Sequence, residues 1–157
     1  MPRTRRSERV RIAVDTNVFS ALLSGGAESA PEARIALENA RAAGTLVVSP
    51  AVYAEFAARR SPDYADTFFS EKGVEVDWYP GREVWRMAGS RYGDYVRARR
   101  RHKGDPGPRR ILADFLIGAH ALHLARGLLT SDTRIYGTYF PELRVVSPRE
   151  PGNGFSA

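Results

Sequence analysis

Short apolar runs alternate with segments of helical periodicity along this chain, and that alternation restricts the possible folds more than any other feature. Strands that alternate with helices are typical of a parallel sheet with helices on both faces. The sequence therefore predicts an α/β fold: a three-layer α/β/α sandwich around a central, mainly parallel sheet of four to five strands. The predicted strands are residues 10–14, 45–48, 74–79, 128–130 and 143–146.

Capping residues and helix breakers delimit the helices between these strands. Ser49 followed by Pro50 is the pattern of an N-cap and a first helical residue. Gly44, Gly73 and Gly127 each follow a segment where a helix is expected to end. The predicted helices cover residues 31–43, 62–72, 82–100, 109–125 and 134–139. A further predicted helix begins at residue 50. No helix or strand is predicted for residues 16–23.

The length of 157 residues is sufficient for one domain with a substantial core. We predict a single domain over residues 1–150 and a loose tail, rich in Pro and Gly, at 151–157. The absence of cysteine excludes disulfides, zinc–thiolate sites and cysteine nucleophiles. Neither a signal segment nor an apolar stretch of about 18 residues is present, so we expect a cytoplasmic protein without membrane contact.

Basic residues outnumber acidic ones, and they are clustered. The net charge is +6, and all but Lys72 and Lys103 of the 24 basic residues are Arg. The cluster at 97–110 is a candidate RNA-binding surface, because guanidinium groups bind phosphate well, although a solvated helix end is the alternative. A second cluster, at 3–11, could simply be a solvated tail. The candidate RNA-binding residues are Arg97, Arg99, Arg100, Arg101, Arg109 and Arg110.

Four acidic residues stand at the ends of the apolar segments. Asp15 closes the first predicted strand, Asp132 follows the fourth, and Glu55 and Asp114 are expected in the first turns of two helices. Ligand sites in such folds lie at the carboxyl ends of the strands. Each acid alone could be a helix cap, Asp132 above all, but four like charges drawn together repel one another. Bound Mg²⁺ or Mn²⁺ would remove that repulsion and supply a hydrolytic centre.

The acids lie in four motifs, which are IAVDTNV at 12–18, SPAVYAE at 49–55, ADFLIGA at 113–119 and LTSD at 129–132. In this order, the motifs resemble those of the PIN-domain nucleases, and more narrowly those of the VapC-type toxins of bacterial toxin–antitoxin pairs. The resemblance covers nearly the whole chain. It implies a PIN-like fold and a metal-dependent endoribonuclease that hydrolyses RNA phosphodiester bonds. Phe115 and His120 depart from the usual pattern of the third motif.

The resemblance also implies a role for each residue of the site. Asp15, Glu55, Asp114 and Asp132 match the family's catalytic acids. Asp15 and Asp114 would hold Mg²⁺ or Mn²⁺ most directly, Asp132 would be a further ligand, and Glu55 or Asp132 would orient the attacking water. The polar residues that would brace these carboxylates are Thr16, Asn17, Thr130 and Ser131.

Two protein partners are implied besides the RNA substrate: a VapB-type antitoxin and a second copy of the chain in a homodimer. Five aromatic residues after the second strand could form such an interface or could pack in the core. His120 and His123, three residues apart on one predicted helix, are expected to pack rather than to bind metal. The five aromatic residues are Tyr53, Phe56, Tyr64, Phe68 and Phe69.

Two other functions remain open from the sequence. The domain could bind RNA or protein without catalysis and use its acids only as caps. It could also be a phosphatase that forms an aspartyl-phosphate on Asp15. That chemistry usually needs a second Asp two residues later, where this chain has Asn17, and a well-placed Lys.

Overall fold

A computed structural model of the chain describes residues 9–107, 109–150 and 154–155. Its strands are β1 (Arg11–Val14), β2 (Thr45–Val48), β3 (Glu75–Val76), β4 (Leu128–Leu129) and β5 (Val145–Val146). They form one sheet in the order β3-β2-β1-β4-β5, and every neighbouring pair is parallel. The predicted α/β fold with a parallel central sheet is confirmed.

Seven helices in the described part of the chain connect these strands and cover the sheet. Several begin at the capping residues that the sequence indicated. Ser49, for example, accepts a hydrogen bond from the backbone N–H of Val52, with Pro50 at the first helical position. The helices are α1 (Thr16–Ser24), α2 (Ser29–Ala43), α3 (Pro50–Arg59), α4 (Pro62–Glu71), α5 (Arg82–Arg101), α6 (Leu112–Leu124) and α7 (Thr133–Tyr139).

The first helix is the main element that the sequence prediction missed. α1 begins directly after Asp15, whose side chain accepts a hydrogen bond from the backbone N–H of Thr16 and so caps the helix. The sequence TNVFSALLS opens with β-branched and aromatic residues of modest helix propensity, which concealed it. Two details of the prediction were wrong: Glu55 lies in the second turn of α3, not the first, and α6 begins at Leu112.

The central strands form the middle of the core, where Ile12, Leu46 and Leu128 are almost completely buried. Helix α6 packs on β1 and β4 and along α5. Gly118 permits a close approach, because a Cβ added there would lie 2.5 Å from the ring of Phe140. This packing fixes α6, and therefore the position of its first turn at the edge of the sheet.

An aromatic cluster joins α1, α3 and α4. The ring centroid of Phe19 lies 6.2, 5.8 and 5.3 Å from those of Phe56, Phe68 and Phe69. These three rings are buried, so the suggestion that they form a partner surface was wrong for them, and the core alternative is confirmed. The two tyrosines of the set remain partly exposed, Tyr64 at 40%.

His120 is buried on α6, and its Nε2 lies 3.1 Å from Oδ2 of Asp77, which follows β3. Burial lowers the pKa of His120, although the hydrogen bond and charge of Asp77 act in the opposite direction. The prediction of a packed histidine with a hydrogen-bonded nitrogen is confirmed. His123 is exposed, so the prediction that it packs was wrong for this residue.

Two predictions fall partly outside the described residues. The basic cluster at 3–11 is described only from residue 9 onward, and the tail at 151–157 only at residues 154–155. Within that tail segment Phe155 is buried. Among the helices of the described ranges, none has the length and apolarity needed to cross a membrane.

Candidate functional site

The carboxyl ends of β1 and β4 place the first and last of the four acids at the same edge of the sheet. These strands are paired in parallel, and the backbone N–H of Asp15 donates to the carbonyl of Leu129 at 2.9 Å. Asp15 and Thr130 are both buried where they leave the two strands, and Asp132 follows two residues after Thr130. The parallel sheet therefore creates this edge, as the sequence predicts.

Four donors surround the carboxylate of Asp15. Its Oδ1 accepts from the backbone N–H of Thr16 at 2.7 Å. Its Oδ2 accepts from the hydroxyl of Thr130 at 2.8 Å, the hydroxyl of Tyr136 at 3.1 Å and the amide of Asn17 at 3.4 Å. Burial nevertheless raises the pKa of Asp15 to about 6, so the loss of hydration outweighs these hydrogen bonds.

Polar contacts tie the start of α1 to the loop after β4. The amide of Asn17 donates to Thr130 Oγ1 at 3.2 Å and accepts from the backbone N–H of Ser131 at 3.0 Å. The hydroxyl of Thr130 also accepts from the backbone N–H of Asp132 at 3.0 Å. The predicted bracing residues thus lie together, with Ser131 contributing its backbone while its side chain is exposed.

Glu55 reaches the same edge from α3. Its Oε1 accepts a hydrogen bond from the hydroxyl of Thr16 at 3.2 Å. The pKa of Glu55 is raised, chiefly by burial and further by the charge of Asp114, against a lowering effect of Arg59. Glu55 is therefore a half-buried acid with a strengthened affinity for protons.

Asp114 lies in the first turn of α6. Its Oδ2 accepts from the backbone N–H of Ile111 at 3.2 Å, which closes the amino end of the helix. Burial raises the pKa of Asp114, as does the charge of Asp132, whereas the N–H of Ile111 and the charge of Arg110 lower it. Asp114 therefore combines a capping contact with an electrostatic link to two charged neighbours.

The four carboxylates form a continuous electrostatic chain, because the charges act pairwise between Asp15 and Glu55, Glu55 and Asp114, and Asp114 and Asp132. Hard oxygen donors under mutual repulsion are the donor set that Mg²⁺ or Mn²⁺ prefers, and a cation would offset their charge. As the side chains stand, no three carboxylate or imidazole groups within the described ranges converge on one ion position. The residues fit such an ion in chemistry and charge, and a shared ion requires side-chain reorientation.

The basic segment contacts the acidic edge at Arg110. Arg110, predicted to contact RNA, forms an ion pair with Asp132. Arg97 pairs with Asp94 at 2.7 Å, and Arg99 donates to the carbonyl of Gly107 at 3.0 Å. The remaining candidates are exposed: Arg100, Arg101 and Arg109.

A family model described as the PIN domain matches residues 12–141. The chain belongs to the PIN-domain family. No curated protein matches it. The matched range contains all four acids, strands β2, β3 and β4, and all of β1 except its first residue.

This PIN domain is similar in fold to several solved structures. VapBC-1 from nontypeable Haemophilus influenzae shares 18% identity at a TM-score of 0.61, over 89% of this chain and 99% of that one. VapBC2 from Rickettsia felis, bound to a DNA fragment of its promoter, shares 17% at 0.59, over 88% and 98%. VapC20 from Mycobacterium tuberculosis, described as a Sarcin-Ricin loop cleaving toxin, shares 17% at 0.53, over 80% and 95%. At these identities the likeness concerns the fold.

Sequence reasoning missed two tyrosines of the PIN domain that contact the site. Tyr136, in α7, is buried and donates to Asp15. Tyr95, in α5, accepts a hydrogen bond from the backbone N–H of Arg110 at 2.7 Å. Both lie in segments with helical periodicity, where an aromatic residue indicates core packing. Only the position of Tyr136, four residues after Asp132, offered a signal.

Proposed function

We propose that this PIN domain is a metal-dependent endoribonuclease and the toxin of a VapBC-type pair that acts in the cytoplasm. The observation that carries the proposal is the electrostatic chain of four carboxylates at one sheet edge, with the pKa of Asp15 raised to about 6. Buried like charges are costly without a cation, and a cation beside them would accept phosphate oxygens. The fold shared with two VapBC complexes and with VapC20 supports the toxin assignment.

Each acid has a role that follows from its surroundings. Asp15 and Asp114 would hold Mg²⁺ or Mn²⁺, with Asp132 as a third ligand once its side chain is free. Bound metal would polarise the phosphodiester and lower the pKa of a coordinated water. Glu55, held by the hydroxyl of Thr16 and with a raised pKa, is suited to accept a proton from the attacking water.

The bracing contacts keep Asp15 in one orientation. Among the residues that the structure describes, three side-chain donors contact its Oδ2, and the backbone N–H of Thr16 alone contacts its Oδ1. A carboxyl oxygen retains lone pairs beyond one such bond, so Oδ1 is the freer atom for a metal. Fixing the ligand in this way lowers the cost of ordering the site when an ion binds.

RNA would approach along the basic segment. Arg100 and Arg101 are exposed at the end of α5, and exposed Arg109 lies in the loop that leads to Asp114, next to Arg110. Contacts of this kind bind the phosphate backbone without reading sequence, and they weaken as salt rises. We therefore expect RNA affinity to fall steeply with ionic strength.

A VapB-type antitoxin and a second copy of the chain are the proposed protein partners. Two similar folds were solved as VapBC complexes, which supports the first. The second follows from the family resemblance. Co-purification with the product of a short neighbouring gene tests the antitoxin, and sedimentation equilibrium of the purified chain tests the homodimer.

Cleavage of end-labelled total RNA tests the enzyme directly. The purified chain is incubated with Mg²⁺, with Mn²⁺ or with EDTA, beside Asp15→Asn, Asp114→Asn and the matched control Asp63→Asn, an exposed acid in the first turn of α4. We expect metal-dependent cleavage that both site variants abolish and the control retains. Cleavage that persists in EDTA or in the site variants would refute the proposal.

The two alternatives give different results in the same experiments. RNA binding without cleavage, and without any effect of metal, would indicate a non-catalytic binding domain. Release of phosphate from a monoester in the absence of RNA cleavage would indicate a phosphatase. Against the phosphatase, the amide of Asn17 is engaged by Thr130 and Ser131 and carries no acidic proton where that chemistry needs one.

A further inference from the structure

Arg110 lies within the acidic site rather than on the surface of the basic segment. Its guanidinium is paired with Asp132, and its charge also acts on Asp114. We propose that Arg110 has two alternative partners: it binds Asp132 in the metal-free protein, and it binds the scissile phosphate of RNA once Asp132 has turned to the metal. This inference rests on the proposed nuclease function.

The main chain of Arg110 is held while its side chain remains accessible. Its backbone N–H donates to the hydroxyl of Tyr95 at 2.7 Å. Tyr95 is itself buried, with its ring centroid 5.5 Å from that of Phe115 and 5.7 Å from that of Tyr139. The side chain of Arg110 is 24% exposed. Because the main chain of Arg110 is held and its guanidinium is partly exposed, the side chain can change partner without movement of the loop.

The charge balance of the site links the two partners. Without a metal, Arg110 is the cation that meets Asp132 and lowers the pKa of Asp114. A divalent ion that takes both carboxylates as ligands competes with the guanidinium for them and repels it. The phosphodiester of a bound RNA is then the negative group available to Arg110.

The chemistry of arginine suits the second partner. The planar guanidinium presents paired N–H donors that match two oxygens of one phosphate, and it stays charged at every relevant pH. A donor aimed at the reacting phosphate stabilises charge that develops as the bond to the leaving oxygen breaks. Exposed Arg34, on α2, has no role in the proposed site and supplies the matched control.

The test combines Mn²⁺ titration calorimetry without RNA and cleavage kinetics at saturating Mn²⁺. Loss of the ion pair in Arg110→Ala should lower the Mn²⁺ dissociation constant about 5- to 10-fold. Loss of the phosphate contact should lower kcat about 100-fold. Arg110→Lys keeps the charge but lacks the paired N–H donors of the guanidinium. Its Mn²⁺ affinity should therefore stay near that of the wild type, while kcat still falls.

Arg34→Ala removes the same charge from an exposed position on α2, and both quantities should stay within about twofold of the wild type. Unchanged or weaker Mn²⁺ binding in Arg110→Ala, or unchanged cleavage, would overturn the inference even though the wild type is active. If the wild type neither binds Mn²⁺ through Asp15 nor cleaves RNA, the proposed function fails as well. The wild-type measurement therefore separates the two failures, and thermal melting in EDTA shows that each variant is folded.

Discussion

The pKa of Asp15 leads to a quantitative prediction about the stability of the metal-free protein. Burial raises this pKa from 3.8 to about 6. A group whose pKa is higher in the folded than in the unfolded state stabilises the fold where it is protonated, and this contribution is lost as the pH rises through the folded value. Asp15 should therefore destabilise the metal-free fold at neutral pH and cease to do so in mild acid.

The magnitude follows from the two pKa values. A shift from 3.8 to about 6 corresponds to about 3 kcal/mol between the extremes of pH. Between pH 7.5 and pH 4.5, the fold should gain about 2 kcal/mol from Asp15. His120 opposes this trend, because its lowered pKa costs stability as the pH falls below its ordinary value. The contribution of Asp15 must therefore be isolated by difference.

Urea unfolding in EDTA at several pH values supplies that difference. The free energy of unfolding of the wild type, minus that of Asp15→Asn, should rise by about 2 kcal/mol from pH 7.5 to pH 4.5, because His120 contributes equally to both proteins. Glu142→Gln is the control of opposite sign. Arg91 lowers the pKa of Glu142, so the wild type should lose stability relative to this variant as acid protonates the carboxylate.

A flat difference between the wild type and Asp15→Asn would refute the reasoning, since it would mean that Asp15 ionises in the fold as easily as in water. With saturating Mn²⁺ the trend should reverse. A metal ligand must be deprotonated, so acid then weakens the metal's stabilisation of the fold. A wild type whose pH dependence is the same in EDTA and in Mn²⁺ would contradict the assignment of Asp15 as a ligand.

Two further predictions concern side-chain contacts near the site. Tyr136→Phe removes the hydroxyl that donates to Asp15 and keeps the ring. Mn²⁺ affinity in calorimetry should therefore fall about 10-fold, while the free energy of unfolding decreases by only about 1 kcal/mol. Unchanged Mn²⁺ affinity would show that the hydroxyl does not orient the ligand. Gly118→Ala places a Cβ 2.5 Å from the ring of Phe140 and should destabilise the fold by about 1–3 kcal/mol in urea, whereas Gly137→Ala in α7 meets open space and should be neutral or stabilising by up to about 1 kcal/mol. Equal effects of the two alanines would argue against the tight packing of α6.

The sheet was predictable because its signal is local. Runs such as residues 45–48 are apolar, end at a polar residue and precede a capped helix, so their neighbours in the sequence define them. α1 carries no such signal. Its cap, Asp15, is equally typical of a residue that ends a strand, and the polar pair Thr16 and Asn17 is typical of a loop. The packing against Phe19 that stabilises α1 comes from α3 and α4, which lie far along the chain.

In the site, too, the features with a local sequence signal were predictable, and the contacts between distant residues were not. The sequence indicated that Asp15 and Asp132 lie at one edge, because parallel strands place their carboxyl ends together. It did not indicate that Arg110 contacts Asp132, since an ion pair across 22 residues depends on the path of a loop. Nor did it distinguish Tyr136 from an ordinary core aromatic, because the role of its hydroxyl depends on which oxygen lies opposite.

The outer strands of the sheet have a consequence for how this chain meets other proteins. β3 and β5 flank the sheet, and each spans two residues. An outer strand offers unpaired backbone groups to which another chain can add a strand, and so short a strand offers few of them. A second molecule is therefore not expected to extend this sheet by adding a strand to it. Open-ended association through backbone pairing is disfavoured for the same reason. We therefore expect a protein that recognises this domain to bind the side chains of its helices and loops.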